Sequence, residues 1–135
     1  MSQLVCAAFI AQDRVLLVKR APHRKWGANL WDLVGGHVEK GEALDVALVR
    51  ECQEEVGLTP LAFSHLATVF EGDDLEQKSP FHIYAIPTWN GGPPQLIGTE
   101  HSELAWCGTK EFEKAELALD GYRQVVLRAL RSDQI

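Results

Sequence analysis

Gly35-Gly36-His37-Val38-Glu39-Lys40-Gly41-Glu42, running into Arg50-Glu51-Cys52-Gln53-Glu54-Glu55-Val56-Gly57-Leu58, decides how the rest of the chain is read. The glycines open a helix of about four turns, and carboxylates crowd that helix toward its C-terminal end. Ala43, Leu44, Val46, Ala47, Leu48 and Val49 lie between Glu42 and Arg50 and read as buried. At about 100° per residue, Leu44, Leu48, Cys52 and Val56 form one apolar stripe. Glu55 projects between Leu44 and Leu48, and Glu51 falls just beside them, so both glutamates border the buried face. Gly57 reads as the glycine that ends the helix.

That placement costs free energy. Glu51, Glu54 and Glu55 repel one another at helical spacings, at a few tenths of a kcal/mol per pair. They also sit near the negative end of the helix dipole. Arg50 reaches Glu54 at i,i+4 and offsets only part of this. Partly buried carboxylates without partners neutralise or bind a cation. A hard divalent ion such as Mg²⁺, taking oxygen ligands, is the natural partner.

The run Gly36, five residues, Glu42, seven residues, Arg50-Glu51, two residues, Glu54-Glu55, one residue, Gly57 and an apolar residue resembles a complete Nudix box. Cys52 stands where that family usually has Leu, Ile or Val, and Val34 where many relatives have proline. Neither departure touches a ligand, and a buried cysteine packs as a small hydrophobe. The resemblance implies a single domain over residues 1–135, an α/β/α sandwich around a mixed β-sheet. It implies hydrolysis of nucleoside diphosphates linked to another moiety, with Mg²⁺ or Mn²⁺. It places metal on Glu51, Glu54 and Glu55, with the Gly35 carbonyl as a further ligand, and pairs Glu42 with Arg50 as a brace behind them.

The composition agrees with such a domain. With 135 residues, 46% of them hydrophobic and 24% charged, the chain fits one soluble globular unit. A net charge of −6 argues against extended nucleic acid as partner, yet admits a small anionic nucleotide, since bound metal inverts the local field. Cys6, Cys52 and Cys107 are odd in number and read as reduced thiols of a cytoplasmic protein. No leader or membrane-length apolar run is read, and a monomer or homodimer is expected.

Along the chain, Leu4 to Ala11 and Val15 to Lys19 read as a β-hairpin about Gln12-Asp13-Arg14. Residues 20–29 read as a basic loop, and Leu30 to Val34 as a short strand feeding the glycine loop. Pro60 precedes a strand over Leu61 to Phe70, and Glu71 to Ser79 reads as an acidic loop. Phe81 to Trp89 is strand-like with Pro87 at an edge or bulge, followed by a turn at residues 90–94. Leu104 to Cys107 reads as a short strand, Thr109 as the cap of a helical turn, and Asp120 as the cap of a last helix. Val125, Val126, Leu127, Ala129 and Leu130 give that helix its apolar contacts.

Hydrolysing a phosphoanhydride calls for charge neutralisation and an oriented water, which divalent ions supply. Arg50, Glu51, Glu54 and Glu55 are therefore the catalytic candidates on the helix. Glu100, six residues before Trp106, is a further carboxylate for metal or base work, ahead of Glu103, set against a plain solvated loop charge. Arg20, Arg24 and Lys25 are candidates for phosphate contact, set against a solubilising loop. Trp26, Trp31, Phe81 and Tyr84 are weighed for base stacking, with core packing the better reading of each alone. The histidines show no ligand spacing among themselves.

The function expected is Mg²⁺-dependent cleavage of a nucleoside triphosphate, standard or oxidised (8-oxo-dGTP, for example), to monophosphate and pyrophosphate. Markers of the family's other substrate classes are absent: Ser79-Pro80-Phe81 is only a fragment of an NADH-type motif. Asp73 stands where ADP-ribose hydrolases often carry proline, and the tyrosine expected in dinucleoside polyphosphate hydrolases is missing nearby. ADP-ribose, a nucleotide sugar or a dinucleotide is the enzymatic alternative. A non-catalytic nucleotide-binding regulatory module is the alternative of another class, disfavoured by the intact glutamates. RNA 5′-end processing is disfavoured by the acidic balance.

Overall fold

The computed structural model describes residues 2–71 and 78–132. Of the acidic loop read over Glu71 to Ser79, residues 72–77 lie outside them, and Glu71 and Ser79 are paired strand residues instead. Strand β1 (Leu4–Ala11) turns into β2 (Arg14–Arg20) through Gln12 and Asp13, whose φ angles of 53° and 62° make the tight mirror-image turn that matches strand twist. The two strands pair only at their tips, Ile10 with Val15 and Ala11 with Arg14, and then part. Strand β3 (Trp31–Asp32) joins β2, while β4 (Val34–His37) takes the vacated edge of β1. Helix α1 (Leu44–Val56) follows and ends at Gly57, in the left-handed conformation at φ 71°.

Strand β5 (Thr59–Glu71) returns antiparallel to β6 (Ser79–Asn90), and β6 runs parallel to β1 from Leu4–Phe81 to Phe9–Ile86. Strand β7 (His101–Gly108) pairs with the other edge of β2. Helices α2 (Thr109–Lys114) and α3 (Tyr122–Ser132) close the described chain. The sheet is mixed, as expected.

Both faces of β1 and β2 are buried, which explains their unbroken apolar runs. Val5, Ala7, Phe9, Leu16 and Val18 meet Ala47, Leu48, Cys52 and Val56 of α1. Cys6, Ala8, Ile10, Val15 and Leu17 meet Phe112, Tyr122, Val126 and Leu130 of α2 and α3. The result is an α/β/α sandwich with a core on each side of the sheet. Truncating a fully buried residue such as Leu48 to alanine would cost about 2–5 kcal/mol.

Several expectations are corrected. The strand read over Leu30 to Val34 is two strands, and the glycines meant for a loop lie in the second, with Cys6 opposite Gly35 and Val5 opposite Gly36. Val46 is 55% exposed and Ala43 is exposed too, because α1 buries one side only. Strand β7 is longer at both ends than the Leu104–Cys107 core. Gly108, not Thr109, caps α2: its N–H donates to Glu111 Oε1 at 2.9 Å, and the buried Thr109 hydroxyl has no partner among the described residues. Asp120 caps α3 with its backbone carbonyl, to Arg123 N at 3.1 Å, while its side chain faces Arg123 Nε at 3.5 Å. Pro87 sits where the β5–β6 register shifts, as expected of a proline in a strand.

Candidate active site

Where β1 and β2 part, a cavity of about 690 Å³ opens between the strand ends and the C-terminal half of α1. Its lining includes Gly35, Gly36, Glu51, Glu55, Glu100 and Arg20. Two glycines bring α1 close to the sheet. A β-carbon on Gly35 would overlap the Val5 carbonyl, and one on Gly36 would overlap the Glu51 carboxylate.

Glu55 is only 8% exposed, and its Oε1 accepts the Gly35 N–H at 3.1 Å. Burial raises its pKa to about 9, against that hydrogen bond, with Glu51, Glu100 and Asp32 adding to the rise. Burial also raises Glu51, partly countered by Arg50. Among the described residues no donor reaches the second oxygen of Glu55. A half-satisfied buried carboxylate with further carboxylates beside it suits a hard cation.

Arg50 is the hub behind these groups. Its Nε and Nη2 bind the two oxygens of Glu42 at 2.7 and 2.9 Å, and Nη1 meets Glu51 at 2.9 Å and Glu54 at 3.1 Å. Nη2 also donates to the His37 carbonyl at 3.0 Å, and Glu39 approaches Nε at 3.2 Å. The Arg50 hydrogen bonds hold Glu42 down to about 2. The Glu42–Arg50 brace is present as expected. Glu51, expected to lack a partner, has one, because the Arg50 guanidinium sits between Glu42, ahead of α1, and Glu51 and Glu54 in its C-terminal half. One guanidinium still faces Glu39, Glu42, Glu51 and Glu54, so negative charge stays in excess. Glu54 is 59% exposed in its side chain and lies outside the cavity lining.

Glu100 arrives from the other side, just before β7. Its carbonyl accepts Ala21 N at 2.9 Å and Arg24 Nη1 at 3.2 Å, which fixes the backbone. Carboxylate oxygens of Glu55 and Glu100 and a ring nitrogen of His101 all lie within 4.8 Å of one another. The sequence offers no ligand spacing for His101. Only the pairing of Arg20 with His101 across β2 and β7 brings it here, and no spacing along the chain reports that. Burial pushes its pKa down to about 4, against the pull of Glu100. Glu103 instead turns to Lys19 at 3.3 Å and is absent from the lining.

The basic candidates separate. Arg20 is buried against Asp32 at 3.2 Å, donates through Nε to the Trp26 carbonyl at 2.8 Å, and stacks on the Trp26 ring. Burial raises the Asp32 carboxyl, with Tyr122 and Arg20 pulling it back. Arg24 lines the cavity with its charge nearer solvent, whereas Lys25 is exposed and lies outside the lining. Of the aromatic candidates, Trp26 and Phe81 line the cavity. Trp31 and Tyr84 pack against the two cores instead.

A model of the NUDIX domain matches residues 1–129 of this sequence. The chain belongs to the Nudix family. It is a hydrolase of nucleotide phosphoanhydride bonds, and a divalent cation belongs to the family's chemistry. It is 32% identical over 114 residues to a CTP pyrophosphohydrolase of Escherichia coli K12, covering 84% of this chain and 82% of that protein. It is 31% identical over 122 residues to the nucleoside triphosphatase NudI of Salmonella arizonae, covering 84% and 86%. Among solved structures, a MutT Nudix hydrolase of Burkholderia pseudomallei superposes with a TM-score of 0.80 at 25% identity, over 94% of this chain and 95% of that one. The Nudix box therefore accounts for the helix and its glycines. Among the described residues no helix is long and apolar enough to cross a membrane.

Proposed function

We propose that this Nudix domain, residues 1–135, is a Mg²⁺-dependent pyrophosphohydrolase of a nucleoside triphosphate, standard or oxidised, releasing monophosphate and pyrophosphate. The observation that carries the reading is the convergence of Glu51, Glu55 and Glu100 at one cavity with too few cations to balance them. In this reading Glu51 and Glu55 would hold the ion from one helical face, with the Gly35 carbonyl as a further ligand. Glu54 would hold a second ion or act through water. Mn²⁺ would fill the same oxygen set. When bound, the ion would neutralise phosphoryl oxygens and lower the pKa of a water.

The chain's own groups then hold the reaction in place. Arg50 fixes the Glu51 carboxylate, and Gly35 fixes that of Glu55, so neither has to reorganise as charge moves. Glu100, with its backbone pinned by Ala21 and Arg24, would add a further carboxylate to the ion or take the proton of the attacking water. Arg24 meets the phosphates from the rim of the cavity, Arg20 shapes the wall behind it, and Lys25 adds charge outside. The names of the CTP and nucleoside triphosphate relatives favour a triphosphate substrate over other nucleotides.

ADP-ribose is the second reading, since a Nudix domain of similar fold, from Shewanella oneidensis NrtR at 23% identity, was crystallised with it. A panel of CTP, the other triphosphates, 8-oxo-dGTP, ADP-ribose and NADH, assayed with Mg²⁺ and with products identified, tests the choice. Pyrophosphate and monophosphate from a triphosphate are expected, at a higher kcat/KM than for ADP-ribose or NADH. Preference for either of those two would overturn the triphosphate reading.

A further inference from the structure

The register of β7 puts a nitrogen donor beside the carboxylates. Lys19 pairs with Glu103 and Arg20 with His101, so Ser102 is an extra residue at the bend. A bulge of this kind re-aims the side chains around it. Glu103 turns outside the cavity to Lys19, while His101, two residues earlier, lines the cavity.

Among the described residues the His101 ring makes no hydrogen bond, and the second oxygen of Glu55 accepts none. A carboxylate oxygen of Glu55, one of Glu100 and a ring nitrogen of His101 lie within 4.8 Å of one another. On an octahedral ion with ligands at about 2.1 Å, adjacent donors stand about 3.0 Å apart and opposed ones about 4.2 Å. Side-chain rotations that draw the donors in by up to about 2 Å therefore close the three on one ion. The backbone on which His101 and Glu100 sit is held by Ala21 and Arg24, which limits the motion required.

From this geometry we infer that His101 is a nitrogen ligand of the ion shared by Glu55 and Glu100, making the centre a mixed nitrogen–oxygen site. The inference rests on the proposed reading of those glutamates as ligands. Imidazole adds little for Mg²⁺ and more for transition ions, so the site takes Mn²⁺ more tightly than Mg²⁺.

Electron spin-echo modulation on Mn²⁺-loaded, tag-free, full-length protein without nucleotide tests this directly. The wild-type spectrum is expected to carry the ¹⁴N modulation of a bound imidazole. That modulation should vanish in His101→Gln and persist in His37→Gln, the other histidine of the cavity lining. Mn²⁺ affinity, read from the free-ion signal in a titration, should fall about tenfold in His101→Gln, while Mg²⁺ affinity by competition changes less than about threefold. Mn²⁺ binding that depends on Glu55 but shows no nitrogen in wild type overturns the role of His101 and leaves the glutamate centre standing. Modulation that survives in His101→Gln also overturns it. Binding undiminished by both Glu51→Gln and Glu55→Gln overturns the metal centre itself. The wild-type spectrum decides without any variant having to fold.

Discussion

The Glu51 carboxylate lies directly against the backbone of Gly36, in the space a β-carbon would occupy. Gly35, one residue earlier, is pressed against the Val5 backbone instead. The two glycines thus do different work, and alanine should separate them. Gly36→Ala meets the mobile end of a side chain, so the fold persists and Glu51 is pushed off its place beside Arg50. Gly35→Ala meets backbone, so the β1–β4 pairing must shift. Thermal melts and kinetics on both variants check this. Gly36→Ala should lose activity at least about 100-fold with little loss of Tm, and Gly35→Ala should lose stability first. A Gly36→Ala enzyme of wild-type rate would show that the position of Glu51 is not needed.

Glu55→Gln keeps the shape and the Gly35 hydrogen bond while removing the charge a cation needs. At saturating Mg²⁺ its turnover should fall at least about 100-fold. Near wild-type hydrolysis would remove Glu55 from the site. In chelator the same variant reports on pH. The folded pKa of Glu55 is raised from 4.5 to about 9, so its contribution is complete below the lower value and is lost as pH rises through the upper. Wild-type Tm should therefore fall relative to Glu55→Gln between pH 5 and 9, a window set by those two values. A constant difference across that range would mean that Glu55 is ionised without metal.

Glu42 gives the opposite sign. Its pKa is lowered from 4.5 to about 2 by Arg50, so its stabilisation is present above the upper value and lost as pH falls through the lower. Wild-type stability should approach that of Glu42→Gln as the solution is acidified across this window, and exceed it at neutral pH. Equal stability of the two proteins at pH 7 would show the brace to be without energetic weight.

How far the chain could be read follows from where each contact lies. Along α1 the relevant neighbours are one turn apart, so Glu51, Glu55 and the Leu48–Cys52–Val56 stripe were legible from period alone. The Glu42–Arg50 pair was legible only through the family resemblance, and the structure bears it out. The β1–β2 hairpin was legible because its two-residue turn is local. His101 was not, since it depends on an extra residue in β7 and on pairing with Arg20 far away in sequence. Nor was the burial of Arg20, read as a loop cation, because its partner Asp32 lies on the next strand. Thr109 and Asp120 looked like caps, as such residues do, but a neighbouring glycine and a backbone carbonyl took those positions.

Arg20 and Arg24 were grouped by sequence as phosphate contacts, and their surroundings now predict different phenotypes. Arg20 is buried with Asp32, and truncating one partner of such a pair strands the other charge, at about 3–5 kcal/mol. Arg20→Ala should therefore unfold at much lower denaturant, and Arg20→Lys should recover only part, since it cannot keep both the Asp32 contact and the Trp26 carbonyl. Arg24 is held by one hydrogen bond to the Glu100 carbonyl and stands nearer solvent. Arg24→Ala should stay within about 0.5 kcal/mol of wild type in denaturant melts. Its KM for a triphosphate should rise, and rise more than its KM for a diphosphate, if Arg24 reaches the phosphates. An Arg24→Ala variant with unchanged KM for both would confine that arginine to positioning the Glu100 loop.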